Sequence, residues 1–127
     1  MMSFGLKVVG IAVKDMGESL KFYRSLGLEI PEGQEAEGHV QIEGEGVTVA
    51  WDTIEVLKGV YGEWEENPVG HRIELAFECR SGEEVDAIYR RITAAGQFGH
   101  REPWDAFWGQ RYAIVTDPDG NLISLFA

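Results

Sequence analysis

Apolar positions along this chain recur in two alternating spacings, and the switch between them marks out its elements. The run from Leu6 to Val13 is apolar almost throughout and reads as a strand. Asp15 follows, with Glu18 three residues on, a capping-box arrangement that opens a helix. Met16, Leu20, Tyr23 and Leu26 then fall on one helical stripe, which ends at Gly27, a residue suited to a C-cap. The same order returns later. Arg72 to Cys79 reads as a strand, Ser81 with Glu84 repeats the capping box, and Val85, Ile88, Ile92 and Ala95 form the stripe before Gly96. The two cap residues are 81 − 15 = 66 positions apart, and Tyr23 and Tyr89 share that separation.

Short strand-like segments follow each helix. In the first half these are His39 to Glu43 and Val47 to Trp51, around Gly44-Glu45-Gly46. In the second they are Phe98 to Arg101, Gln110 to Thr116 and Leu122 to Phe126. Between the last two, Pro118 suits the first central position of a turn and Gly120 a left-handed one, which predicts a hairpin. Each half therefore reads as βαβββ. The expected class is α+β: two such modules in one domain over residues 1–127, the first at about 4–53 and the second at about 70–127. A single module leaves one sheet face without a helix, so the two are expected to form a curved, cup-shaped mixed sheet with helices outside. The connecting stretch 54–69 has room for a short helix.

Composition narrows the function classes. The 44% hydrophobic and 26% charged fractions are those of an ordinary globular domain, and no apolar run approaches the ~20 residues of a bilayer span. The beginning of the chain lacks the pattern of a signal peptide, which predicts a cytoplasmic protein with no membrane partner. Its single cysteine, Cys79, lies in an apolar run and reads as a packed thiol. With 22 acidic against 11 basic side chains the formal charge is −11. That field repels polyphosphate, excluding nucleic acid as a partner, and favours a cationic small molecule over an anionic one.

Val13-Lys14-Asp15-Met16, Ser19-Leu20-Lys21-Phe22-Tyr23 and Leu26-Gly27-Leu28 resemble the opening module of the vicinal-oxygen-chelate superfamily, which holds glyoxalase I, extradiol dioxygenases and bleomycin-resistance proteins. Trp108-Gly109-Gln110-Arg111-Tyr112, Asp117-Pro118-Asp119-Gly120-Asn121 and Leu122-Ile123-Ser124-Leu125 resemble its closing module. Metal enzymes of that superfamily hold a divalent Lewis acid with four side chains, usually His and Glu, on four strands of the cupped sheet. The resemblance places the four positions at Val8, at Ala50 or Trp51, at Arg72 and at Ser124, none of them a good ligand. A guanidinium ~4 Å from a divalent ion would oppose it by roughly 8 kcal/mol at an effective dielectric near 20. His71 reaches the third position only through a one-residue slip, which would turn Ile73, Leu75 and Phe77 away from their helix. His39 and His100 read as surface histidines. The expectation is a protein without metal or other cofactor.

Alternation then places Val8, Gly10 and Ala12, Arg72, Glu74 and Ala76, and Leu122, Ser124 and Phe126 on the concave face. Arg72 and Glu74 form a charged pair in the space of the ion, as a salt bridge or as ligand contacts. Trp104, Phe107 and Trp108 cluster in a segment, Pro103 to Gly109, that reads as a loop, and the resemblance sets that loop at the cavity mouth. Trp51 is placed with them as a candidate wall, while Trp64 reads as a pin for the linker. The predicted ligand-binding set is Trp51, Arg72, Glu74, Trp104, Phe107, Trp108 and Ser124. No serine, cysteine or histidine constellation offers a nucleophile with its base, so no catalytic residue is assigned. What these features imply together is a bleomycin-resistance-like homodimer that binds a planar or cationic organic molecule without transforming it. The alternative is a glyoxalase-like lyase or dioxygenase with an unrecognised metal site.

Overall fold

A computed structural model describes residues 6, 8–62 and 74–127. The element order is β1 (Val8–Val13), α1 (Met16–Leu26), β2 (His39–Glu43), β3 (Thr48–Thr53), α2 (Ile54–Tyr61), β4 (Leu75–Glu78), α3 (Gly82–Ala94), β5 (Phe98–Asp105), β6 (Arg111–Thr116) and β7 (Leu122–Phe126). The α+β class expected from the sequence is borne out, as two separate mixed sheets. The chain divides into two compact units, residues 1–20 with 29–67 and residues 21–28 with 68–127.

The first unit carries a three-stranded sheet in the order β1-β3-β2, with β1 and β3 parallel and β2 and β3 antiparallel. Ile11 and Val13 are buried and alternate with the more open Val8, Gly10 and Ala12, so β1 has one packed face and one open face. A β-branched, apolar strand half covered on one side is what that alternation encodes. The register Ile11–Trp51–Val40 runs across the packed face, and Gly10–Ala50–Gln41 across the other, where Gly10 and Gln41 are exposed and Ala50 is buried. Among the described residues two strands, β2 and β3, follow α1 in this unit, and 28–38 forms no strand. That stretch carries Pro31, Gly33 at φ +82° and several glutamates, a composition poor in the β-branched and aromatic side chains that sustain a strand. The expected short helix after Thr53 is α2, capped by the Thr53 hydroxyl accepting from the Val56 N–H at 3.4 Å.

The second unit is a full βαβββ set, with strand order β4-β7-β6-β5 and β4 parallel to β7. Its helix starts where the sequence predicts. The Ser81 hydroxyl accepts from the Glu84 N–H at 3.2 Å, while the Glu84 carboxylate reaches past it to the Arg80 N–H at 2.9 Å. Val85, Ile88 and Ile92 are buried, and they cover Ala113 and Val115 of β6. Ala95, expected on the same stripe, is instead the exposed C-cap residue. The hairpin β6–β7 turns through Asp117–Asn121, with Gly120 at φ +88° and its N–H bonded to the Asp117 carbonyl at 3.0 Å.

The C-terminal half of α1 belongs to this second unit, and two contacts explain why. The Tyr23 hydroxyl donates to Asp117 Oδ2 at 2.7 Å, and Arg91 Nε donates to the Ser25 carbonyl at 2.8 Å. Phe22, which lies off the predicted stripe, is buried here against Tyr23, their rings edge to face at 5.1 Å. Helix α1 therefore buries more than one stripe.

Candidate functional site

On the second unit, α3 covers one face of the sheet, and the opposite face carries the aromatic residues. Tyr112 alternates with the buried Ala113, and the register Trp104–Tyr112–Phe126–Glu78 sets these four side chains in one row across all four strands. The next row is Arg101–Ile114–Ser124–Ala76. Ring contacts join the first row to the adjoining turn. Trp104 and Tyr112 meet at 5.3 Å, Trp108 and Tyr112 at 5.4 Å, Phe107 and Trp108 at 5.0 Å, and Tyr112 stacks with Phe126 at 6.4 Å. Edge-to-face and offset geometries of this kind are the favoured ones for aromatic pairs.

Trp104 does not lie in a loop, as the sequence predicts, but near the end of β5, which runs on to Asp105. The turn is confined to 106–109, closed by the Ala106 N–H to the Gln110 carbonyl at 2.8 Å and the Gly109 N–H to the Ala106 carbonyl at 3.0 Å. Phe107 and Trp108 occupy its centre, which is why Phe107 is 96% exposed and Trp108 49%. Trp108 is oriented by its Nε1–H donating to Gln110 Oε1 at 2.8 Å. Phe107 and Trp108 are exposed and Trp104, Tyr112 and Phe126 half-buried beside them, and together the rings form a ridge.

The other predicted site residues fare differently. Trp51 is 0% exposed, on the packed face with Ile11 and Val40, and so is core and not a ligand wall. The residue of β3 on the same face as Gly10 is Ala50, which is buried too. Ser124 sits on the ridge face by register, yet it is 2% exposed in a central strand and presents no hydroxyl to a ligand. Glu74 is exposed just before β4. Arg72, and with it the Arg72–Glu74 pair, lies outside the described residues, as do His71, Ile73 and Trp64.

For a divalent ion the donor set is poor. Of the positions the resemblance marks, Val8 and Ala50 are alkyl and Ser124 is a buried neutral hydroxyl, where such an ion takes imidazole, thiolate or carboxylate. Among the described residues no three His, Cys, Asp or Glu side chains gather as ligands. Among the described residues the marked positions do not fit a divalent ion.

His39, read from the sequence as a plain surface histidine, has partners on the open face of the first unit. Its Nδ1 lies 2.6 Å from Asp52 Oδ1 and its Nε2 2.9 Å from Gln41 Oε1. The hydrogen bond to Gln41 and then that to Asp52 raise its pKa above the usual histidine value. The pairing was available in principle, since a hairpin closing on Gly44–Val47 sets His39 opposite Asp52. A raised folded-state value means the contribution is fully present below about pH 6.5 and is lost as the pH climbs through the folded value. Titration of the His39 ring protons by NMR is expected to give a midpoint above 6.5 that falls toward it in Asp52→Asn. A midpoint unmoved by that change would show that the carboxylate contributes nothing.

The βαβββ set of the second unit and the two mixed sheets are consistent with the glyoxalase architecture. A family model for the Glyoxalase/Bleomycin resistance protein/Dioxygenase superfamily matches residues 5–125, and the chain belongs to that superfamily. No curated protein matches the sequence. Among solved structures, a glyoxalase-related enzyme from Fulvimarina pelagi is 22% identical with a TM-score of 0.81, over 95% of this chain and 86% of that one. A glyoxalase/bleomycin resistance protein/dioxygenase family enzyme from Burkholderia phytofirmans is 20% identical at 0.79, over 97% and 98%. One from Nocardioides is 25% identical at 0.76, over 100% and 85%. At these identities the likeness is one of fold.

Proposed function

We propose that this chain is a metal-independent, bleomycin-resistance-like member of its superfamily that binds a planar small organic molecule without transforming it. The observation that carries the reading is the contiguous ridge of Phe107, Trp108, Trp104, Tyr112 and Phe126 on one face of the second unit. Exposed rings offer a flat ligand a large contact area with little rotamer entropy to lose, and binding of this kind needs affinity alone. Val8, Ala50 and Ser124 at the marked positions argue against the lyase or dioxygenase alternative. The reading includes a homodimer acting in the cytoplasm, a second copy covering strand edges such as those of β1 and β5. Among the described residues no helix is long and apolar enough to cross a membrane.

A titration series of planar drugs, read by tryptophan fluorescence and melting temperature, tests the proposal. Binding by at least one class is expected, and Trp108→Ala is expected to weaken it by about 1–3 kcal/mol. A series in which no planar compound perturbs either signal would overturn it.

A further inference from the structure

The planar-ligand reading leaves the ligand's charge open, and one side chain on the ridge bears on it. Arg101 lies over Trp104, its Cζ 3.6 Å from the ring centroid. In a regular strand, residues three apart point to opposite faces. Here they do not. Arg101 is opposite Ile114 and Trp104 opposite Tyr112, so an extra residue in β5 between them returns both side chains to one face. Bulges of this kind re-aim side chains. A second register shift, between Gly99 and Arg101, precedes it.

The guanidinium held in this way keeps its donor edge open. Among the described residues Arg101 makes no hydrogen bond or ion pair, although the chain carries 22 acidic residues. Arg111, by contrast, has Asp86 at 2.9 Å and Asp105 at 3.2 Å. In its own row Arg101 is followed by Ile114, Ser124 and Ala76, with no carboxylate among them. Glu78 stands at the far end of the Trp104 row, three strand spacings or roughly 14 Å from it.

We propose that Arg101, seated on the Trp104 indole, selects planar ligands that carry an anionic group such as a carboxylate. This rests on the planar-ligand reading above. The aromatic body of the ligand stacks on the ridge while its carboxylate accepts the parallel N–H bonds of the guanidinium, a geometry for which arginine is preorganised. A cation at the same place meets a like charge, or must first displace Arg101 from the ring. The net charge of −11 favours cations at long range, but that field is screened beyond ~8 Å at physiological salt, whereas the Arg101 contact acts at hydrogen-bond distance. The local charge sets the preference, opposite to the one the composition predicts.

Isothermal titration with three probes of one shape tests this: naphthalene-2-carboxylate, naphthalene-2-carboxamide and 2-naphthylmethylammonium. The carboxylate is expected to bind about tenfold more tightly than either of the others. Arg101→Gln is expected to erase that advantage, bringing carboxylate affinity level with carboxamide affinity, with the melting temperature unchanged, since the side chain is exposed. Ammonium binding as tight as carboxylate binding, or a carboxylate advantage that survives Arg101→Gln, would overturn the charge assignment and leave the planar-ligand reading standing. Failure of all three probes to bind would overturn both.

Discussion

Trp51→Ala is expected to lower the stability of the protein by about 3–5 kcal/mol, the range for truncating a buried tryptophan in a packed core. Trp51 is fully buried between Ile11 and Val40 in the cross-strand register of the first unit. Interiors are packed as densely as organic crystals, so the hole left by an indole does not close by small shifts. For a chain of 127 residues, that loss corresponds to a fall in melting temperature of roughly 10–20 °C. Urea unfolding at constant m-value checks it, with Trp51→Phe losing less because a ring still fills part of the space. A variant with stability close to the parent and weakened ligand binding would instead return Trp51 to the role of a ligand wall.

The second large effect is expected at Asp117, which is 3% exposed and yet accepts four hydrogen bonds. Its Oδ1 takes the N–H groups of Asp119 at 2.9 Å and Asn121 at 2.8 Å, closing the turn of the last hairpin. Its Oδ2 takes the Asn121 side-chain amide at 2.8 Å and the Tyr23 hydroxyl at 2.7 Å, tying the turn to α1. Burial, and then the Asp117 carboxylate, push the Tyr23 phenol far above its usual range, so it remains a donor at every pH the fold tolerates. Asp117→Ala leaves those donors without their shared acceptor in a buried place, at a cost of about 3–4 kcal/mol. Tyr23→Phe removes the bond to Asp117 and is expected to cost about 1–2 kcal/mol. In a double-mutant cycle the two losses should fall short of additive, because Asp117→Ala already removes the acceptor of the Tyr23 bond. Strict additivity would mean that the contact contributes no coupling.

What was legible in the sequence follows the range of the forces involved. The caps at Asp15 and Ser81 and the stops at Gly27 and Gly96 depend on a few neighbouring residues, and the structure has them where the sequence puts them: the Glu18 N–H donates to Asp15 Oδ1 at 2.9 Å, and both glycines have positive φ. Strand faces depend on register, which is non-local. Ala50 and Trp51 could not be told apart because a shift of one residue exchanges the two faces of β3. The sequence places Trp104 in a loop because the bulges in β5 break the period-two pattern, and the same bulges hide the approach of Arg101. Tyr112 belongs to the ridge, and its alternation with Ala113 was a signal that could have placed it there. The His39–Asp52 contact joins residues 13 apart, and only the hairpin register brings them together.

Binding of a planar ligand to the ridge is tested most directly by the tryptophan indole N–H resonances in a ¹H–¹⁵N spectrum, assigned by single substitutions and followed through a titration with naphthalene-2-carboxylate. Trp104 and Trp108 lie in the ridge and Trp51 in the core of the other unit. The expected result is a saturable shift of the Trp104 and Trp108 signals with the Trp51 signal unmoved; a titration that shifts Trp51 while Trp104 and Trp108 stay in place would contradict the account.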